Sequence, residues 1–235
     1  MKALIAALSL LMLSGCATNG QPPWSVLTTA NCAKPSADQE LALNLADDMA
    51  KDGKLHASLA NLQSLPDSLA DVRLRKARVY RLLGRSDAEP LYRSLLGSCR
   101  AAEAEHGLGQ LAAGRGENGQ AQAHLQRAAR LAPTDEKIRN DLGVVYMNQL
   151  RLDDARFEFL TAIELKQSDQ LPAVNLVALL IFQDNWQQAG ELVSRAGLSP
   201  EQFGEAKARA ESLKAPATPR PSTSGQVAVV IDALK

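Results

Sequence analysis

A period sets the limits on what this chain can become. Between Glu105 and Asp169 the sequence lies on itself when shifted by 34 residues: Leu108 falls on Leu142, Gly109 on Gly143, Ala121 on Ala155, Leu125 on Phe159, Ala128 on Ala162 and Leu131 on Leu165. One further step of 34 reaches Leu176, Val177, Ala189, Val193 and Ala196. Repetition at this length, with a fixed order of large, small and aromatic positions, marks stacked helix–turn–helix units. The spacing has a physical reason. Two helices that cross closely need Gly or Ala at the contact (Gly109, Gly143, Ala121, Ala155), and a large side chain of the partner helix fills the space beside it. Helices of about 13 residues are marginal alone in water, so stacking must supply the missing burial, and at least about three units are required. An ordinary helical bundle is the alternative, but it does not account for six coincidences at one offset.

With Leu142, Gly143, Tyr146, Ala155, Phe159 and Ala162, and Pro133 closing the preceding unit, the chain resembles the tetratricopeptide repeat family. It departs from the family pattern at the bulky fourth position, occupied by Glu105, Arg139 and Ala173, and at the closing proline, which is Gln167 in the second unit.

Upstream, Ser36 to Pro66 reads as helix, Gly53, helix, and Val72 to Leu96 reads likewise, with Ala77, Tyr80, Gly84, Ala88 and Tyr92 one residue short of the repeat spacing. These are divergent units at the irregular end of an array. Downstream, Ser199, Pro200 and Gln202 form a helix start: a side-chain N-cap, a tolerated first-turn proline and a capping box. That helix, to about Leu213, caps the last unit. The expected fold is all-α: a tetratricopeptide-repeat solenoid over 36–213, with about five helix pairs and a C-terminal capping helix. A hydrophobic content of 46% with only 4% aromatic residues fits helices packed through Ala and Leu. Residues 214–235 read as a disordered Pro/Ser/Thr tail with a short apolar end at 226–235, either a docking segment or a tail without fixed structure.

The N-terminus reads as an export signal. Lys2 is a positive n-region, and Ala3 to Leu13 is an apolar run too short for a stable membrane span. Leu13-Ser14-Gly15-Cys16 resembles the bacterial lipoprotein box, which implies a signal peptide over 1–15, a lipidated Cys16, and a tether over 16–35. The alternative is a plain secretory signal with an incidental cysteine. In the lipoprotein family an Asp after the lipidated residue often signals inner-membrane retention; Ala17 there implies the outer membrane, facing the periplasm. Pro22, Pro23 and Trp24 suit an extended link. Once Cys16 is acylated, Cys32 and Cys99 are the remaining thiols, and an oxidising compartment suggests a disulfide between them, with two buried free thiols as the alternative.

No catalytic set is visible. His56, His106 and His124 lie within helical patterns, the glycines at 114–119 lack the Lys-Ser/Thr of a phosphate loop, and Gly107-x-Gly109-x-x-Ala112 has no preceding strand. No metal-ligand spacing and no cofactor motif occur, and enzyme activity is not expected. Equal numbers of basic and acidic residues, 26 each, give no field that would gather nucleic acid. Binding of a protein remains. In the tetratricopeptide family the first helix of each pair lines the concave face. By that resemblance, the groove positions are Asn140, Val144 and Met147 in one unit and Val174, Ala178, Ile181 and Phe182 in the next. The helix from Leu171 to Phe182 is apolar almost all round, whereas a surface helix needs only one apolar stripe. The excess is covered either by the capping helix or by a partner; the expectation is that the C-terminal half of the groove accepts an amphipathic partner helix.

The run from Asn140 to Leu165, followed by Asn175 to Gln202, resembles the lipoprotein of the tight adherence (Tad/Flp) pilus assembly system. That resemblance implies a pilotin: a lipoprotein held in the bilayer by acyl chains on Cys16, with the outer-membrane secretin of the pilus as its partner. Two alternatives are a type IV pilus pilotin and a general periplasmic adaptor for peptidoglycan enzymes or outer-membrane protein assembly.

Overall fold

The structure, a computed structural model, describes residues 32–214. These described residues form helices and no strand: α1 (Ala37–Lys51), α2 (Leu55–Gln63), α3 (Ala70–Leu82), α4 (Ala88–Arg93), α5 (Ala101–Gly114), α6 (Asn118–Leu131), α7 (Glu136–Asn148), α8 (Leu152–Leu165), α9 (Leu171–Phe182), α10 (Trp186–Ala196) and α11 (Pro200–Lys214). Five pairs and a final helix result, as the period requires. Cys16 and the apolar end at 226–235 lie outside the described residues.

Each pair closes where the sequence offers space. A Cβ on Gly143 of α7 would sit 2.6 Å from the Phe159 ring of α8. One on Gly109 of α5 would sit 2.6 Å from Leu125 of α6. Both distances are well inside van der Waals contact, so the two backbones approach to the depth of a missing methyl group. In the first pair the small residues are Ala46 and Ser58, and the Ser58 hydroxyl donates to the Ala46 carbonyl at 2.7 Å. Caps fix several starts. Ser36 and Gln39 form a capping box on α1, Asp135 accepts from Lys137 and Ile138 on α7, and Ser199 and Gln202 exchange the same reciprocal bonds on α11.

The turn inside each pair passes through one left-handed residue. In the first three pairs it is a glycine: Gly53, Gly84 and Gly116, with φ between 66° and 76°. In the last two the same place is taken by Leu150 (φ 59°) and Asp184 (φ 58°), each 34 residues beyond its predecessor from Gly116.

Helix-to-helix contacts define two layers. The first helices of successive pairs touch one another, α1 with α3, α3 with α5, α5 with α7 and α7 with α9. No comparable contact joins the second helices among the described residues. The first helices therefore form the inner, concave layer and the second helices spread over the convex side. The apolar core lies between the layers, with Tyr92, Leu125 and Phe159 fully buried there.

Cys32 and Cys99 are bonded, with Cα atoms 5.7 Å apart. The bond ties the segment preceding α1 to the loop before α5, and Cys32 packs on the cluster of Ala77, Ala88 and Tyr92.

Candidate functional site

The concave face is the candidate site, and its two halves differ in chemistry. Over α1, α3 and α5 it carries a belt of charges. Arg75 Nε donates to Asp47 of α1 at 2.9 Å, and its guanidinium also reaches Asp71 at 3.3 Å. The same Asp71 oxygen accepts from Arg100 at 2.6 Å, and Arg100 in turn donates to Glu103 at the start of α5 at 2.9 Å. Arg100 is partly buried, yet its two carboxylate partners hold its pKa above the ordinary value against the cost of burial.

From α5 onward a ladder of buried polar side chains runs along the floor. His106 Nε2 lies 2.6 Å from Asp141 Oδ2 and Gln110 donates to the same oxygen at 2.8 Å, joining α5 to α7. Asn140 donates to the other Asp141 oxygen at 3.3 Å and accepts from Asn175 of α9 at 2.7 Å. Asn175 then accepts from Arg209 of α11. Such groups are stable away from water only because each finds a partner.

The last link shows where α11 lies. In a continuing array the next first helix rests on the second helix of the preceding pair, as α7 rests on α6 and α9 on α8. α11 instead packs along α9. Arg209 reaches the same Asn175 that joins α9 to α7, so α11 covers the concave side of α9 rather than its far end. Ala206 and Ala210 press into the apolar cluster with Phe203 and Leu213 beside them. Lys214 pairs with Asp184 at 2.7 Å, and Gln202 with Gln170 at 3.0 Å.

The residues expected to form an open partner groove are enclosed rather than open. Asn140, Val144, Met147, Val174, Ala178 and Ile181 are buried, and Phe182 is half-buried against the core. Of the two covers expected for α9, the capping helix and a partner, the chain's own α11 is the one packed against it. Its short residues let it approach α9, and Arg209 satisfies the polar side chain that this approach buries.

The unusual fourth positions also find a physical account. Glu105 accepts from Arg127 Nε at 2.7 Å and lies 2.6 Å from His124 Nδ1, both on the paired helix α6. Arg139 donates to Glu158 of α8 at 3.1 Å, the same pairing with the signs exchanged. Burial pushes the Glu158 carboxyl above its ordinary range, and Arg139 opposes that shift. In α3 the equivalent place holds Arg73, whose Nε is buried with no hydrogen-bond partner.

Sequence reasoning missed the belt, the ladder and these exchanged pairs. Most of their contacts join residues 19 to 35 apart, and only the charge of Glu105 and Arg139 at an aromatic position hinted at them. Among the described residues no cluster of three or more potential metal ligands occurs, and no helix is long and apolar enough to cross a membrane.

Paired helices in two layers, with a lined inner face and a terminal helix folded back on it, define a helical-repeat scaffold of the kind that binds proteins. The chain is 45% identical over 182 residues to the TPR repeat-containing protein PA4299 of Pseudomonas aeruginosa, a match covering 77% of this chain and 74% of that one. It therefore belongs to the tetratricopeptide repeat-containing proteins. Solved structures share the fold. Pseudomonas aeruginosa pilF is 18% identical with a TM-score of 0.58, over 74% of this chain and 87% of that one. The thermophilic TPR protein TTC0263 of Thermus thermophilus is 20% identical with a TM-score of 0.57, over 74% and 98%. No family model matches the chain.

Proposed function

We propose that this protein is an outer-membrane lipoprotein, facing the periplasm, that acts as a pilotin or assembly factor for the secretin of a Tad/Flp-type pilus. Acyl chains on Cys16 hold it in the bilayer, and a segment of the partner docks on the concave face. The protein is a scaffold and not an enzyme. One observation carries the reading: a repeat array in which, among the described residues, no further helix packs on α3 and α5 as α11 packs on α9 belongs to a chain that carries Leu13-Ser14-Gly15-Cys16. Three acyl chains on that cysteine would hold a protein effectively permanently, where a single chain gives only reversible binding. With the C-terminal half of the inner face occupied by α11, the docking segment uses the half built by α1, α3 and α5.

The test is Cys16→Ser in the native host. The variant is expected to be soluble in the periplasm and to reduce secretin multimers, read on a semi-denaturing gel. Normal multimers would remove the lipid-driven role. Deletion discriminates the classes: loss of fimbriae alone supports a pilotin, and an envelope-wide growth defect points instead to a general adaptor.

A further inference from the structure

The far end of the array is finished on one side only. α6 and α8 each carry the first helix of the following pair, α7 on α6 and α9 on α8. Among the described residues α10 carries none: α11, which comes next in the chain, packs along α9 and makes no comparable contact with α10. Burial along the second helices follows this difference. Leu125 and Phe159 are fully buried, and so are Ala128 and Ala162. The residues 34 further on, Val193 and Ala196, are only half-buried. Leu152 packs against the core, while Trp186 at the same place one unit later is 52% exposed. Between Trp186 and Val193, Gly190 takes the place of Gln122 and Arg156, and a Cβ there would meet nothing within 4 Å. Trp186, Gly190 and Val193 share one helix face by their spacing. α10 therefore offers a short apolar seat, open at its glycine, in the place where a following first helix rests.

We propose that residues 226–235 of this same chain fill the seat on α10 as a short helix. Their sequence puts Val227, Val230, Ile231 and Leu234 at i, i+3, i+4 and i+7, a single apolar stripe, with Val229 and Asp232 on the other side. Their length suits the seat, about 15 Å as a helix against about 16 Å for α10. A strand would need an edge to pair with, and the described residues offer none; a helix satisfies its own backbone groups. The chain also leaves the fold in the right place. α11 ends at Lys214, which pairs with Asp184, two residues before Trp186. Residues 215–225 can then span up to about 36 Å, more than twice the length of the seat. A flexible link of that size holds the segment at an effective concentration of about 1 mM. A second copy lacks this advantage. Two α10 seats set back to back would bring together only a few residues from each copy, against the roughly 20–30 a side of a standard interface.

Trp186 reports on its own seat. The chain has two tryptophans, Trp24 and Trp186, so Trp24→Phe isolates the second. The full chain carrying Cys16→Ser and Trp24→Phe is compared with the same chain ending at Gly225. Acrylamide quenching of Trp186 is expected to be weaker in the full chain by about twofold or more, with emission at shorter wavelength, because a half-exposed ring becomes enclosed. Val230→Asp with Ile231→Asp, on the apolar stripe, is expected to abolish the protection. Val229→Asp, off the stripe, is expected to leave it in place. Circular dichroism confirms that the array stays folded in each variant. Equal quenching in the full and shortened chains overturns the proposal, and so does protection that survives Val230→Asp with Ile231→Asp. Protection that is lost on dilution, together with a dimer in sedimentation, would assign the seat to a second copy and overturn it as well.

Discussion

The two halves of the inner face solve the same packing problem in opposite ways. In the N-terminal half, α1, α3 and α5 present charged side chains, so water and a belt of ion pairs finish the surface. In the C-terminal half, α9 is apolar from Leu171 to Phe182 and only another helix can finish it; α11 does so, with Arg209 answering the one buried amide on the contact. The lesson is that composition of the first helix decides whether a repeat face stays open. Polar floors stay available to partners, while apolar floors recruit cover from their own chain. The halves are also held differently, the first by a covalent clamp and the second by helix docking, and this difference is the easiest to break.

The largest effect should come from the clamp. Residues 32 and 99 close a loop of 67 residues, for which the chain-entropy model gives about 4 kcal/mol. Cys32→Ser with Cys99→Ser is expected to destabilise α1 to α5 by about that amount and to leave α7 to α11 largely protected, because each unit contacts only its neighbours. Hydrogen exchange read helix by helix checks it. Uniform loss of protection across both halves would show that the array unfolds as one body and that the division is false.

Next comes the cover. Ala206→Asp with Ala210→Asp places two carboxylates where α11 meets the apolar cluster, without altering any other helix. Burying unpaired charge is costly enough to detach the helix, at an expected cost of about 3 kcal/mol or more. Detachment would expose Val174, Ala178 and Ile181, measurable as dye binding and as self-association in sedimentation. A monomeric variant with unchanged exchange at α9 would show that α11 is dispensable there.

Inside the pairs, Gly143→Ala and Gly109→Ala both insert a methyl group at a crossing, the first against the flat Phe159 ring and the second against Leu125. Overpacking of this kind costs about 1–3 kcal/mol. Both partners are fully enclosed, and Gly143→Ala is expected to cost more in urea denaturation, since the branched Leu125 can change rotamer in place while the rigid Phe159 ring must move as a unit. The reverse order would mean that the α7–α8 pair is the more yielding of the two.

These crossings were legible in the sequence because the repeat exposes them: Gly109 and Gly143 align with one another, and so do Leu125 and Phe159. The start of α11 was legible for a local reason, since Ser199, Pro200 and Gln202 act within one turn. The side on which α11 docks was not. Phe203, Ala206, Ala210 and Leu213 say that it must be covered but not by what, and the choice between the concave face and the end of the array is made by Arg209 meeting Asn175, 34 residues away. The same limit hid the polar ladder. His106, Asp141, Asn140 and Asn175 each look like ordinary helix-surface residues until the stacking brings them together.

The smallest effect isolates the turns. Gly116, Leu150 and Asp184 occupy one structural place at successive steps of 34, and all are left-handed. That conformation costs a side-chain-bearing residue about 1–2 kcal/mol and costs glycine nothing comparable. Leu150 is 58% exposed, so its side chain contributes little burial that a replacement would lose. Leu150→Gly therefore relieves the strain, offset in part by the greater freedom of glycine in the unfolded chain, about 0.4–1 kcal/mol. The net expectation is a gain of up to about 1 kcal/mol, seen as a higher urea midpoint at unchanged slope. The mirror substitution, Gly116→Leu, should lose about the same difference between the two terms, up to about 1 kcal/mol. Equal and opposite shifts would mean that the turn alone sets the difference. A loss on Leu150→Gly would instead show that the exposed leucine is held by contacts specific to the α7–α8 pair, and that the two halves differ in their turns as well as in their faces.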